Sequence, residues 1–191
     1  LTRSSLAMLE GQYLDLEFET RLDVTTDEYM GMISRKTGAL MSCAMEMGAI
    51  VGSGNREMTT AFAEAGWHLG NLFQIRDDVL GIWGEAATTG KPTGSDILRK
   101  KKTFPVVHAF EKGQGAAAAT LRRVYQKDSL TQQDVEEVLE ALEVSGARGE
   151  AEALAGRLGQ QAIDALMVTE VGPEHMEEFE KVVSFLLRRE R

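Results

Sequence analysis

Apolar residues return every three or four positions along nearly the whole chain, the interval that gathers one face of a helix. The pattern is strongest from Glu57 to Trp83, where Phe62, Ala65, Leu69, Leu72, Phe73, Leu80 and Trp83 form a core-facing stripe. The same spacing predicts a helix over Leu6–Glu19 with Leu6, Leu9, Tyr13 and Leu16 inward. A further helix is expected over Asp27–Val51, with Tyr29, Ile33, Leu40, Ala44, Met47 and Val51 inward. Thr25 or Thr26 caps it ahead of Asp27 and Glu28, and Gly52-Ser53-Gly54-Asn55 closes it. Pro105 sits where a first helical turn accepts proline. Gly113-Gln114-Gly115 with the following alanines reads as a flexible junction before a helix over Thr120–Lys127. Thr131 caps a helix carrying Val135, Val138, Leu139 and Leu142, and two more helices are expected over Glu150–Met167 and Glu174–Arg189. No β alternation of useful length, repeat or linker interrupts this pattern, so the expectation is a single all-α domain over residues 1–191.

The central helix carries a second, polar strip. At about 100° per residue, Gly70, Gln74, Asp77 and Gly81 fall together, with Trp67 and Asp78 at the edge. Glycine inside a helix costs roughly 0.5–1 kcal/mol relative to alanine, so both glycines call for a reason: room for a ligand, or close helix packing. Asp77 and Asp78 are adjacent carboxylates that repel unless a cation sits beside them. Hard oxygen ligands suit magnesium, which keeps waters and completes its shell with phosphate oxygens. The alternative is a solvated acid pair at a helix end.

Charge changes the weighting. The chain has 21 basic and 30 acidic residues, a net charge of −9, which argues against a nucleic-acid binder with a general basic surface. Against that background, Lys91, Arg99, Lys100, Lys101 and Lys102 surround the single Asp96. Such a cationic island suits a small polyanion, or else is a solvated basic loop. Cys43 is the sole cysteine, so no internal disulfide can form, and the composition fits a reducing, cytoplasmic compartment. No run of about 18 apolar residues marks an integral membrane segment. The helical pattern begins almost at Leu1 with neither an initiator methionine nor a signal-peptide pattern, so the chain is expected to start within a longer protein.

Taken in order, Phe73-Gln74-Ile75-Arg76-Asp77-Asp78-Val79-Leu80, then Gly90-Lys91-Pro92-Thr93-Gly94-Ser95-Asp96, then Lys101-Lys102-Thr103-Phe104-Pro105 closely resemble the second aspartate-rich region of the trans-isoprenyl diphosphate synthases, the polyprenyl synthetase family. The resemblance implies the isoprenoid synthase fold, an antiparallel helical bundle around a deep cavity, here incomplete at its N-terminal side. It implies a prenyltransferase that ionises an allylic diphosphate with Mg2+ and lets isopentenyl diphosphate attack the cation. By the same resemblance Asp77 is a direct metal ligand and Asp78 a second or water-mediated one. Gln74 donates a hydrogen bond near the substrate, and Lys36, Thr37, Lys91 and Lys101 bind diphosphate oxygens; Lys36 counts with the two aspartates as catalytic. Lys36 and Thr37 lie within a mostly apolar helix, where the plainer reading is a snorkelling lysine and a threonine bonded back to its own backbone. Gly11-Gln12-Tyr13-Leu14-Asp15-Leu16 resembles the family's glycine-glutamine helix, which makes Gln12 and Asp15, with Gly81, cavity-lining.

Two departures stand out. Gly81 replaces the family's usual third aspartate, and the first aspartate-rich segment, which belongs upstream of Gly11-Gln12, has only ten residues in which to lie. Alone, the chain is expected to supply one side of a two-sided metal site. A homodimer is implied by likeness to the family. A terpene cyclase of the same fold, and a non-catalytic short subunit paired with a chain carrying the first segment, are the alternatives.

Overall fold

The computed structural model describes residues 1–84 and 93–189, and every regular element among them is a helix. These are α1 (Thr2–Glu19), α2 (Thr26–Ile33), a π-helical turn (Ser34–Gly38), α3 (Ala39–Gly52), α4 (Arg56–Trp83), α5 (Ser95–Leu98), α6 (Phe104–Lys112), α7 (Gly115–Tyr125), α8 (Gln132–Val144), α9 (Ala147–Met167) and α10 (Pro173–Arg188). The fold class is all-α, as the periodicity predicts. The residues cluster into two compact units, one of Leu1–Tyr13, Met30–Gln74 and Leu154–Arg189, the other built from Leu14–Tyr29 and Ile75–Ala153. The divisions fall inside α1, α2, α4 and α9, so no linker marks them.

In the first unit, glycines set how closely helices approach. A Cβ added to Gly11 would lie 2.6 Å from Lys36 Cα, one on Gly70 would lie 2.8 Å from Gly38 Cα, and one on Gly66 would lie 2.7 Å from the Met41 carbonyl oxygen. Each contact is with backbone, which cannot swing aside as a side-chain tip can. The glycine that the sequence placed on an open polar strip, Gly70, is therefore a packing glycine. Ala61, Ala65 and Leu166 form the buried core here, with Phe62, Met176 and Phe179 packed against them.

One predicted stripe and the later part of a second face outward, while Tyr29 and Ile33 of the second are buried as expected. Leu6, Leu9, Tyr13 and Leu16 of α1 are 58–67% exposed, while Gly11 and Phe18 are buried. Periodicity finds an apolar face, but the close backbone contact at Gly11 turns the face carrying Gly11 and Phe18 inward. In α3 the buried positions are Cys43 and Ala49, whereas Ala44, Met47 and Val51 are exposed. The π turn at Ser34–Gly38 widens one turn and resets the helical phase, which a continuous 3.6-residue period does not anticipate.

The second unit has a larger core, in which Ile82, Ile97, Leu121, Val124, Val135, Val138 and Leu142 are fully buried. The C-terminus of α4 is closed by the segment that follows: Gly94 N donates to Ile82 O at 2.9 Å and Thr93 Oγ1 to Gly84 O at 3.1 Å. Gly94 has φ +75°, and a Cβ there would also strike Val135. The expected junction at the alanine run is instead helical from Gly115 onward, in keeping with alanine's propensity. Thr131 caps α8 in a reciprocal capping box with Asp134. His108 is half-buried, its ring 5.9 Å from that of Phe104.

The lysine run is neither a solvated loop nor a single anion cradle. Lys100, in a left-handed conformation at φ 56°, donates Nζ to Lys127 O at 2.5 Å. Lys102 is 4% exposed, donates Nζ to the Glu19 carbonyl at the end of α1 at 3.0 Å, and lies 5.2 Å over the Tyr125 ring. A cation at a helix C-terminus meets the negative end of the macrodipole. Burial nevertheless lowers the Lys102 pKa to about 8, with Lys100 adding to the effect.

Two outcomes are expected. Gly11→Ala or Gly70→Ala should cost about 1–3 kcal/mol in urea unfolding, from overpacking against backbone. Gly48→Ala, where an added Cβ meets nothing within 4 Å, should instead stabilise by about 0.5–1 kcal/mol; similar costs at all three positions would refute the backbone contacts. The folded pKa of Lys102 lies below its unfolded value, so the unfolded chain binds more protons in the interval. Stability should therefore rise with pH from about 8 toward the ordinary lysine range, and Lys102→Met should flatten that rise.

Candidate active site

The second unit holds the aspartate pair, and its two members have different surroundings. Asp78 is completely buried. Its Oδ2 accepts the Tyr29 hydroxyl in a short hydrogen bond and the Phe104 backbone N–H at 2.8 Å; its Oδ1 accepts Lys101 Nζ at 3.1 Å. Burial pushes the Asp78 carboxyl above its usual range, against the pull of Lys101, Tyr29 and the Phe104 amide. Burial likewise raises the Tyr29 hydroxyl well above its ordinary value, with the Asp78 charge adding to it. For Lys101, burial works to lower the pKa, but Asp78 and Asp96 outweigh it and hold the ammonium charged. Asp77, one residue earlier, is half-buried, and its side chain has no hydrogen bond or ion pair among the described residues. Successive helical residues differ by about 100° in direction, which is why one carboxylate turns into the protein and the other does not.

Lys101 Nζ also donates to Asp96 Oδ2 at 3.2 Å, so its ammonium is shared by two carboxylates. The Asp96 carboxylate lies over Gly81: a Cβ there would be 2.6 Å from Asp96 Cγ. Gly81 therefore faces a carboxylate and does not line open space. Asp15 is half-buried, and its charge bears on Tyr29. Lys91 lies outside the described residues.

In the first unit, Lys36 and Thr37 stand on the π turn, both half-buried. Thr37 Oγ1 donates to Gln74 Oε1 at 3.0 Å, so the threonine does not bond back to its own helix, and the amide oxygen of Gln74 is an acceptor there. Gln74 is 7% exposed. Ser34 Oγ donates to Asn71 Oδ1 at 3.3 Å, which ties the start of the π turn to α4. Gln12 is exposed on α1.

Sequence reasoning missed Tyr29, Asp96 and the Phe104 amide. Tyr29 reads as core by its spacing, and only its hydroxyl distinguishes it from phenylalanine. Asp96 was visible as the single acid in a cationic stretch. The Phe104 amide has no signature in sequence at all. Among the described residues no group of three or more His, Cys, Asp or Glu side chains is arranged to hold a metal ion. No helix among them is long and apolar enough to cross a membrane.

Comparison with known proteins agrees with this arrangement of elements. The polyprenyl synthetase family model matches residues 1–142. The geranylgeranyl diphosphate synthase of Mycobacterium tuberculosis is 38% identical over 167 residues, covering 87% of this chain and 47% of that protein. The short chain isoprenyl diphosphate synthase of Methanothermobacter thermautotrophicus is 37% identical over 187 residues, covering 98% and 57%. Among solved structures, geranylgeranyl pyrophosphate synthetase from Pyrococcus horikoshii aligns with a TM-score of 0.89 at 35% identity, covering 98% of this chain and 57% of that one. A polyprenyl synthase from Caulobacter crescentus, complexed with calcium and isoprenyl diphosphate, aligns with a TM-score of 0.91 at 28% identity, covering 100% and 58%. The chain spans about half the length of the curated relatives it matches. With the family model spanning most of its length and the helices superposing on those of polyprenyl synthases, the chain belongs to the polyprenyl synthetase family.

Proposed function

We propose that the protein this chain represents condenses an allylic diphosphate with isopentenyl diphosphate by magnesium-assisted ionisation, lengthening a prenyl chain. The observation that carries the reading is the division of labour in the aspartate pair. Asp78 is held by three protein donors, while Asp77 is left available to a cation.

The donors present fit magnesium. That ion keeps several waters and takes one or two carboxylates together with substrate phosphate oxygens, so a lone accessible carboxylate suffices. Asp77 is the residue that would hold it, and Asp78 moves from ligand to positioning residue, because its oxygens already face Tyr29, Phe104 N and Lys101. When bound, magnesium would stabilise the charge that accumulates on the departing diphosphate. The chain's own residues supply the rest. Lys36 is assigned a charge-assisted hydrogen bond to a diphosphate oxygen by resemblance alone. Thr37 gives its one hydroxyl proton to Gln74 Oε1, so binding a diphosphate oxygen, the role assigned to it by resemblance, requires that proton to turn away from the amide. Lys101, kept charged by two carboxylates, adds a fixed positive charge whose orientation needs no rearrangement during reaction. Lys91 is assigned to the same anion by resemblance. Gln12 and Asp15 are assigned to the cavity wall on that ground alone, and Gly81 is withdrawn from it.

In the full-length protein, Asp77→Ala should lower turnover at least about a hundredfold, as expected for loss of a group that stabilises transition-state charge. Its unfolding free energy should move by no more than about 0.5 kcal/mol. Tyr29→Phe, which leaves a buried carboxylate short of one donor, should cost about 1–3 kcal/mol of stability. Turnover is read as radiolabelled isopentenyl diphosphate entering longer prenyl products. Full activity of Asp77→Ala would sink the metal assignment, and product formed from the allylic diphosphate alone would point to cyclisation.

A further inference from the structure

Gly81 lies within α4, where its lack of a side chain carries a cost of about 0.5–1 kcal/mol relative to alanine. Its bare Cα is roofed by Asp96, whose Cγ and Oδ1 would be 2.6 and 3.2 Å from a Cβ at position 81. Any side chain there would expel that carboxylate. Asp96 is only 9% exposed, and a buried acid is expensive unless it is partnered. Its partner is Lys101, engaged twice: Oδ2 accepts Lys101 Nζ at 3.2 Å, and the Asp96 carbonyl accepts Lys101 N at 3.0 Å. One residue thus fixes both the backbone and the ammonium of Lys101, and Asp78 holds that ammonium from its other side at 3.1 Å.

We propose that Gly81 and Asp96 form a matched pair that positions Lys101: the empty space at 81 admits the Asp96 carboxylate, which with Asp78 clamps the lysine at the aspartate end of α4. That Lys101 is positioned toward a diphosphate rests on the function proposed above; the pairing itself does not. The space over Gly81 holds one carboxylate, and it can be delivered from either residue. An aspartate introduced at 81 would carry its carboxylate into the volume Asp96 occupies, provided Asp96 is removed.

The test uses the full-length protein without metal or substrate, treated with an acetylating reagent, with labelling of Lys101 followed by peptide mass spectrometry relative to exposed Lys112. Asp96→Gly and the double variant Gly81→Asn/Asp96→Gly should label Lys101 about tenfold faster than the unsubstituted protein, since each takes one carboxylate from the ammonium. The double variant Gly81→Asp/Asp96→Gly should return labelling to nearly the original rate. The two double variants have side chains of equal size at 81 and differ in charge, so a packing defect affects both alike. Gly81→Asp alone should melt well below the Gly81→Asp/Asp96→Gly protein, because two carboxylates then compete for one space. In the activity assay, Gly81→Asp/Asp96→Gly should exceed Gly81→Asn/Asp96→Gly in kcat/KM by about tenfold. Equal labelling of Lys101 in the two double variants would overturn the pairing. The predicted labelling pattern in a protein that forms no prenyl product would uphold the pairing while removing the function it was attached to.

Discussion

A carboxylate with no solvent exposure is tolerable only if its oxygens are fully engaged, and the Asp78 side chain sets that constraint for the second unit. Tyr29 must present its hydroxyl from α2, Phe104 its amide from the first turn of α6, and Lys101 its ammonium from the segment between α5 and α6. Two stretches distant in sequence, around Tyr29 and over residues 101–104, are fixed to α4 by one side chain. The neighbouring carboxylate of Asp77, turned by a single helical step, is spared that duty. Under the proposed function, this asymmetry would give the two adjacent aspartates different work.

The first unit reaches a comparable result without buried charge. Gly11, Gly38 and Gly70 remove the side chains that would hold backbones apart, and the π turn carrying Lys36 and Thr37 is gripped where they meet. Helices in such contact leave a hydroxyl few directions in which to point, and that of Thr37 points to Gln74. A π segment is an uncommon form of helix, and this one carries Ser34, Arg35, Lys36 and Thr37 in succession.

The lysine run shows how far charge patterning carries. Three consecutive cations following a glycine-rich loop suggest one anion-binding patch, yet each has a separate task. Lys100 reaches the Lys127 carbonyl, Lys101 bridges two carboxylates, and Lys102 lies under cover against the end of α1 and the Tyr125 ring. Of the three, Lys101 is held beside Asp78 and Asp96.

Helical periodicity, caps and motif spacing were enough to fix the all-α class, most helix limits, the Thr131 cap and the family, because these depend on neighbours within a few residues along the chain. The resemblance assigned Asp77, Lys36 and Thr37 to the site, and their roles belong to the proposed function. What the sequence left open was which side of each element turns inward. The exposed leucines of α1, the reset phase of α3 and the packing of Gly70 and Gly81 all follow from contacts between residues far apart in sequence. Tertiary packing alone decided that Asp78 is enclosed and that Asp96 fills the space over Gly81, since burial and partnership exist only once distant segments meet.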